Sequence, residues 1–233
     1  MKKTIAFLAL CLLMLTAANT MRAANAFLVR NLVSDIPELA DHTDANLVGA
    51  WGISESTSSP FWVADSGKGV STLYNSSGGA IPLVVAIPPA KSGGAGIPTG
   101  TVYNTSTGFE VATGKPAAFI FATLDGTISG WNSSVDHTNA IVKVNNSSAG
   151  AAYTGLAIGT SNSNTFLYAA NFHAGTVDVF DSTFTAAMAG TFKDPMLPTG
   201  YAPFNVQNLG GKLYVAYALQ NADKSFATSG AGN

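Results

Sequence analysis

Short apolar runs, rich in aromatic and β-branched side chains, alternate along this chain with clusters of Gly, Ser, Thr and Asn. Four runs stand out: Phe61-Trp62-Val63-Ala64, Phe119-Ile120-Phe121-Ala122, Phe166-Leu167-Tyr168-Ala169-Ala170 and Leu213-Tyr214-Val215-Ala216. Bounded runs of this length and composition predict strands. Ala64, Ala122, Ala170 and Ala216 close them at spacings of 58, 48 and 46 residues. A second strand follows each of the first three across a Gly-containing turn, at Gly69–Tyr74, Gly126–Trp131 and Gly175–Phe180. A short strand precedes each pair, at Trp51–Ile53, Thr101–Tyr103, Leu156–Ile158 and Phe204–Val206. Weaker fourth strands fit Pro82–Ile87, Ala140–Val144 and Ala189–Phe192. No segment after Phe27 has the apolar spacing of an amphipathic helix, and helix-favouring Lys, Glu and Arg are scarce.

A β-sandwich and a β-propeller both string short strands at regular intervals. The propeller also repeats the order of strand types, because each four-stranded blade buries its faces only against its neighbours. That repeat, at the period of known blades, predicts an all-β fold: a β-propeller of four-stranded antiparallel blades, incomplete at about three and a half blades. The Gly-His and Trp-Asp marks of WD40 blades are absent, and the Gly pairs do not recur in phase as kelch repeats require.

The N-terminus has a different pattern. Lys2 and Lys3 precede an apolar run from Ile5 to Leu15, and Ala24-Asn25-Ala26 forms a small-x-small cleavage pattern. This predicts a secretory signal peptide over residues 1–26, cleaved after Ala26, with residues 27–233 as the N-terminal part of one propeller domain. The apolar run is shorter than the roughly 20 residues of a membrane span. The expected location is secreted or periplasmic, with no transmembrane segment in the mature chain. Removing 26 of 233 residues leaves 207, with eight basic and thirteen acidic side chains and no cysteine. Disulfides and thiolate chemistry are thereby excluded from the mature chain, and the acidic balance argues against a nucleic-acid partner. Only 10% of residues are charged, so few ionisable groups are available to build an enzyme.

Several strings resemble an uncharacterised family of secreted bacterial proteins, NHL-like and propeller-like, some of which end in a PEP-CTERM sorting signal. They are Asp41-His42-Thr43-Asp44-Ala45-Asn46-Leu47-Val48 with Trp51-Gly52-Ile53, then Phe61-Trp62-Val63-Ala64-Asp65, Asn171-Phe172-His173-Ala174-Gly175-Thr176 and Tyr201-Ala202-Pro203-Phe204-Asn205. The resemblance covers nearly all of 27–233 and implies a fold and an export route, but no activity. Family members continue beyond the Gly-rich segment near Gly230 into further blades, so the chain is expected to be C-terminally truncated. A strand near Phe27–Val33 is expected to help close the ring.

In an up-and-down blade, the loop entering the inner strand and the turn between the second and third strands open on one face. That face is expected to gather Asp44, Asn46, Asp65, Asp125, Asn171, His173 and Asn205, with Asp41, His42, Ser66 and Tyr201 nearby. Carboxylates and Asn carbonyls suit Ca²⁺ or Mg²⁺, and His would favour a transition metal. The same residue types also make Asx-turns that bind only their own backbone. Trp51, Trp62 and Trp131 are expected to pack between blades. No G-x-S-x-G, H-E-x-x-H or Walker A pattern occurs. The leading expectation is a binding scaffold for an unknown protein, glycan or small molecule. The alternative is an NHL-like or lactonase-like hydrolase or lyase with a divalent metal at the axis.

Overall fold

The computed structural model describes residues 27–188, 192 and 194–230. The signal-peptide expectation for 1–26 lies outside them. Residues 27–31 form no strand and are exposed. The expected Phe27–Val33 strand is replaced by a two-residue one, β1 (Val33–Ser34), parallel to β2 (His42–Thr43). Then follow β3 (Ala50–Ser54), β4 (Phe61–Asp65), β5 (Val70–Tyr74), β6 (Ala80–Ala86), β7 (Pro98–Tyr103), β8 (Glu110–Ala112), β9 (Lys115–Pro116), β10 (Phe119–Thr123), β11 (Thr127–Trp131) and β12 (Ile141–Asn145). The chain continues with β13 (Tyr153–Ser161), β14 (Asn164–Asn171), β15 (Thr176–Phe180), β16 (Ala186–Ala187), β17 (Tyr201–Leu209) and β18 (Lys212–Leu219). The one helical turn among the described residues is a 3-10 turn at Ser147–Ala149.

Three antiparallel four-stranded sheets form successive blades: β3-β4-β5-β6, β7-β10-β11-β12 and β13-β14-β15-β16. The β17-β18 hairpin supplies the inner half of a fourth. The architecture is thus a run of β-propeller blades. A small hairpin, β8-β9, interrupts blade two between its first and second strands. The outer strand of blade three is Ala186–Ala187; of the expected Ala189–Phe192 strand, 189–191 lie outside the described residues.

The inner strands β3, β7, β13 and β17 lie side by side. A Cβ on Gly52 would collide with the Thr99 carbonyl, and one on Gly100 with the Leu156 backbone. Glycine is used there for close approach of neighbouring strands. Each inner strand also shifts register against its partner near its start, at Trp51-Gly52, Thr99-Gly100, Thr154 and Phe204. Such bulges sharpen local twist, as strands converging on an axis require.

Three apolar layers between blades make most of the core, with a smaller cluster of Phe172, Ala202 and Ala218 beside them. Trp62, Leu73 and Val85 of blade one pack on Phe119, Phe121 and Trp131 of blade two. Trp62 stacks on Phe119 at 4.2 Å between ring centroids and meets Trp131 at 4.7 Å. Ile120, Ala122 and Ile128 then meet Leu167, Ala169 and Phe180, while Tyr168, Ala170 and Val179 meet Val206, Leu213 and Val215. Strand alternation sends neighbouring residues to opposite layers, so each blade is apolar on both faces. Trp62 and Trp131 pack between blades. Trp51 does not: it is 40% exposed and lies 5.9 Å from Phe204 of the half blade.

Candidate functional site

The turn between the second and third strands is built in a related way in each complete blade. In blade one, Asp65 ends β4 and its Oδ2 accepts hydrogen bonds from the Thr72 backbone N–H at 3.1 Å and the Thr72 hydroxyl at 2.7 Å. In blade two, Thr123 accepts from the Thr127 N–H at 2.9 Å and pairs with its hydroxyl. In blade three, Asn171 donates to Asp178 at 2.9 Å and accepts from the Ala152 and Ala174 N–H groups. A polar side chain at the end of one strand thus locks the next.

The expected site residues fall into separate groups. Asp44, Asn46 and Asp65 belong to the blade-one end. Asp44 accepts from the Asn46 N–H and from the Tyr74 hydroxyl, both at 2.9 Å. Asp65 is fully buried, and its Oδ1 has no hydrogen-bond partner. Burial pushes its carboxyl up to about 7, the Thr72 bonds oppose that shift, and the Asp44 charge adds to it. Burial likewise raises the Tyr74 phenol. Asp125 accepts from the Ala90 N–H at 2.6 Å, with its other oxygen buried and unpartnered. Asn205 is exposed and caps its neighbour's N–H at 2.8 Å. The ring of His173 lies over Gly150, and His42 meets the Ser77 carbonyl at 3.2 Å. Ser66 donates to the Gly49 carbonyl at 2.8 Å.

These groups do not assemble a metal centre. No set of three His, Cys, Asp or Glu comes together among the described residues. Asp65 Oδ2 and Asn171 Oδ1 already accept hydrogen bonds from neighbouring N–H and hydroxyl groups, so the donor set does not fit Ca²⁺, which takes six to eight oxygens. Two sets of residues escaped the sequence reading. One is the network in which Asn146 donates to the Tyr153 hydroxyl at 2.7 Å, and Tyr153 in turn to Asp178 at 3.1 Å. The seven-residue spacing shared by Asp65–Thr72 and Asn171–Asp178 is a signal that could have found it.

The other is a surface groove of about 440 Å³ on the face of blade one turned away from blade two. Leu32, Trp51, Ile53, Phe61, Val63 and Tyr74 line it. Ile53 is 64% exposed. Trp51, expected to pack between blades, lies instead in this groove, and neither it nor Ile53 carries a periodicity that would separate it from a core residue.

No family model matches this chain. It is similar to two uncharacterised proteins of Acanthamoeba polyphaga mimivirus. Protein L690 is 30% identical over 209 residues, covering 86% of this chain and 54% of that protein. Protein R648 is 28% identical over 222 residues, covering 91% and 54%. The chain therefore spans about half the length of these relatives. Both are viral, so they do not support the bacterial origin that the resemblance implied. Among solved structures, a streptogramin B lyase aligns with TM-score 0.49 and 12% identity, over 76% of this chain and 52% of that one. A catalytically inactive virginiamycin B lyase from Staphylococcus aureus, determined with quinupristin, aligns with TM-score 0.48 and 12% identity, over 75% and 53%.

Proposed function

We propose that this chain is an exported binding scaffold whose recognition surface is the apolar groove of blade one. The groove carries the reading: it presents the exposed Trp51 and Ile53 beside Phe61, Val63 and Tyr74 on rigid strands, whereas the polar loop residues bond mainly within their own blades. Contiguous exposed apolar surface marks interaction sites, and aromatic anchors on a rigid frame suit protein or peptide ligands. Export is supported by Lys2-Lys3, the apolar run and Ala24-Asn25-Ala26.

The test is selection of peptides from a displayed library on the wild-type protein, with the Ile53→Asp variant as counter-selection. Ile53 is exposed, so a charge there spoils the groove without entering the core. The proposal expects apolar, aromatic peptides that bind wild type and not the variant. Enrichment of peptides indifferent to Ile53→Asp would overturn it.

A further inference from the structure

We infer that Asp65 latches a strap to blade one: residues 32–49, which lead into β3, stay closed over the turn after β4 while Asp65 holds a proton, and open when it gives the proton up. The latch stands on its own. It bears on the groove because Leu32, Val33 and Leu47 of the strap line that groove.

The strap is lightly held. Within it, β1 and β2 pair over two residues each, and His42 and Thr43 are exposed. It meets blade one where the Tyr74 hydroxyl donates to Asp44 at 2.9 Å and the His42 ring meets the Ser77 carbonyl at 3.2 Å. The Gly67 N–H donates to the Val48 carbonyl at 2.9 Å, and the Ser66 N–H and hydroxyl donate to the Gly49 carbonyl at 3.2 and 2.8 Å. Ser66 and Gly67 directly follow Asp65, so the carboxyl and the strap's last anchors share one turn.

Asp65 is the exception among three equivalent turns. Thr123 and Asn171 hold the same place in blades two and three, and both are neutral. The Asn171 side-chain oxygen is satisfied by the Ala152 and Ala174 N–H groups. Ala152 directly precedes the inner strand of blade three, as Gly49 precedes that of blade one. Asp65 Oδ1 receives no such bond, yet it is buried by the chain's own atoms.

An ionised carboxylate at this place has neither a donor nor water on that oxygen, which is costly. The groups facing it sharpen the conflict. Asp44 of the strap adds a like charge, and the Tyr74 phenol of β5 is itself pushed up by burial. β3 brings no charged side chain, and Lys68, in the exposed turn that follows, does not offset the rise. Relief comes from letting water reach Oδ1. β4 and β5 are tied into a four-stranded sheet, so the strap, the least-bonded cover, yields first. The closed form keeps a proton that the open form releases, so opening becomes easier as pH rises.

The test is amide hydrogen exchange of the purified protein between pH 4.5 and 8.5, with intrinsic exchange rates divided out. The strap reporters are the His42 and Asp44 amides, bonded to the Leu32 and Ser34 carbonyls, and the Gly67 amide at its anchor. In wild type they are expected to be less protected than the amides of β14 and β15 at every pH, and to lose about tenfold in protection across the range. In Asp65→Asn their protection is expected to be independent of pH. Strap protection that does not change with pH in wild type overturns the inference, as does an equal response in Asp65→Asn. Strap amides as protected as those of β14 and β15 also overturn it, because the proton then leaves only on global unfolding; this comparison needs wild type alone. No peptide enters the readout, so the latch and the groove's role in recognition can fail separately.

Discussion

Asp65 gives the sharpest energetic prediction. It is fully buried at the turn of blade one, with one oxygen on Thr72 and the other unpartnered. Its carboxyl rises from 3.8 to about 7. The fold therefore keeps a proton that the unfolded chain releases, and stability falls as pH rises between these values. It is fully present below about 3.8 and lost above about 7. At about 1.4 kcal/mol per pH unit the shift has a ceiling of about 4 kcal/mol. The effective dielectric at a protein site is well above that of a dry interior, and roughly half of that ceiling is the expectation. Asp65→Asn keeps an acceptor for Thr72 and removes the titration. In urea unfolding followed by circular dichroism, wild type should lose about 1.5 kcal/mol between pH 4.5 and 8.5 relative to the variant. The carboxyls held low by local hydrogen bonds, Asp136, Asp181 and Asp223, titrate below this window and do not interfere. An equal pH response in wild type and Asp65→Asn would refute the reasoning.

Other expectations follow from the same structure. Gly100→Ala forces a methyl onto the Leu156 backbone and should cost about 3 kcal/mol. Gly94→Ala, which meets nothing within 4 Å, should change stability by less than about 0.5 kcal/mol. Asp178→Ala strands the Tyr153 hydroxyl and the Asn171 amide, and should lower unfolding free energy by about 2 kcal/mol. The melting temperature should be the same in Ca²⁺, Mg²⁺, Mn²⁺ and EDTA; stabilisation by any of these ions would revive a metal site. N-terminal sequencing of the exported protein should begin at Phe27.

The blade pattern was legible because strand alternation and turn chemistry are local. Trp62, Phe121 and Tyr168 stand in strands whose composition announces them. The β8-β9 hairpin was not legible: Glu110–Ala112 and Lys115–Pro116 are too short to show alternation. The outer strand of blade three has the same difficulty, with two alanines that carry no strand preference. The site residues were found as residue types but not as a site. Asp65 and Asn171 occupy equivalent turns, and what each binds depends on a partner seven residues along, in the next strand. The groove was hidden for a different reason. Phe61, Trp51 and Ile53 read as core in any strand, and only the order of the sheets shows which face has no neighbouring blade among the described residues.

The central claim, that the blade-one groove is the recognition surface, is tested most directly by titration calorimetry of a selected peptide against wild type and Ile53→Asp. Affinity at least about tenfold weaker for the variant, a difference of about 1.4 kcal/mol, is the predicted result. Equal affinities would contradict the account.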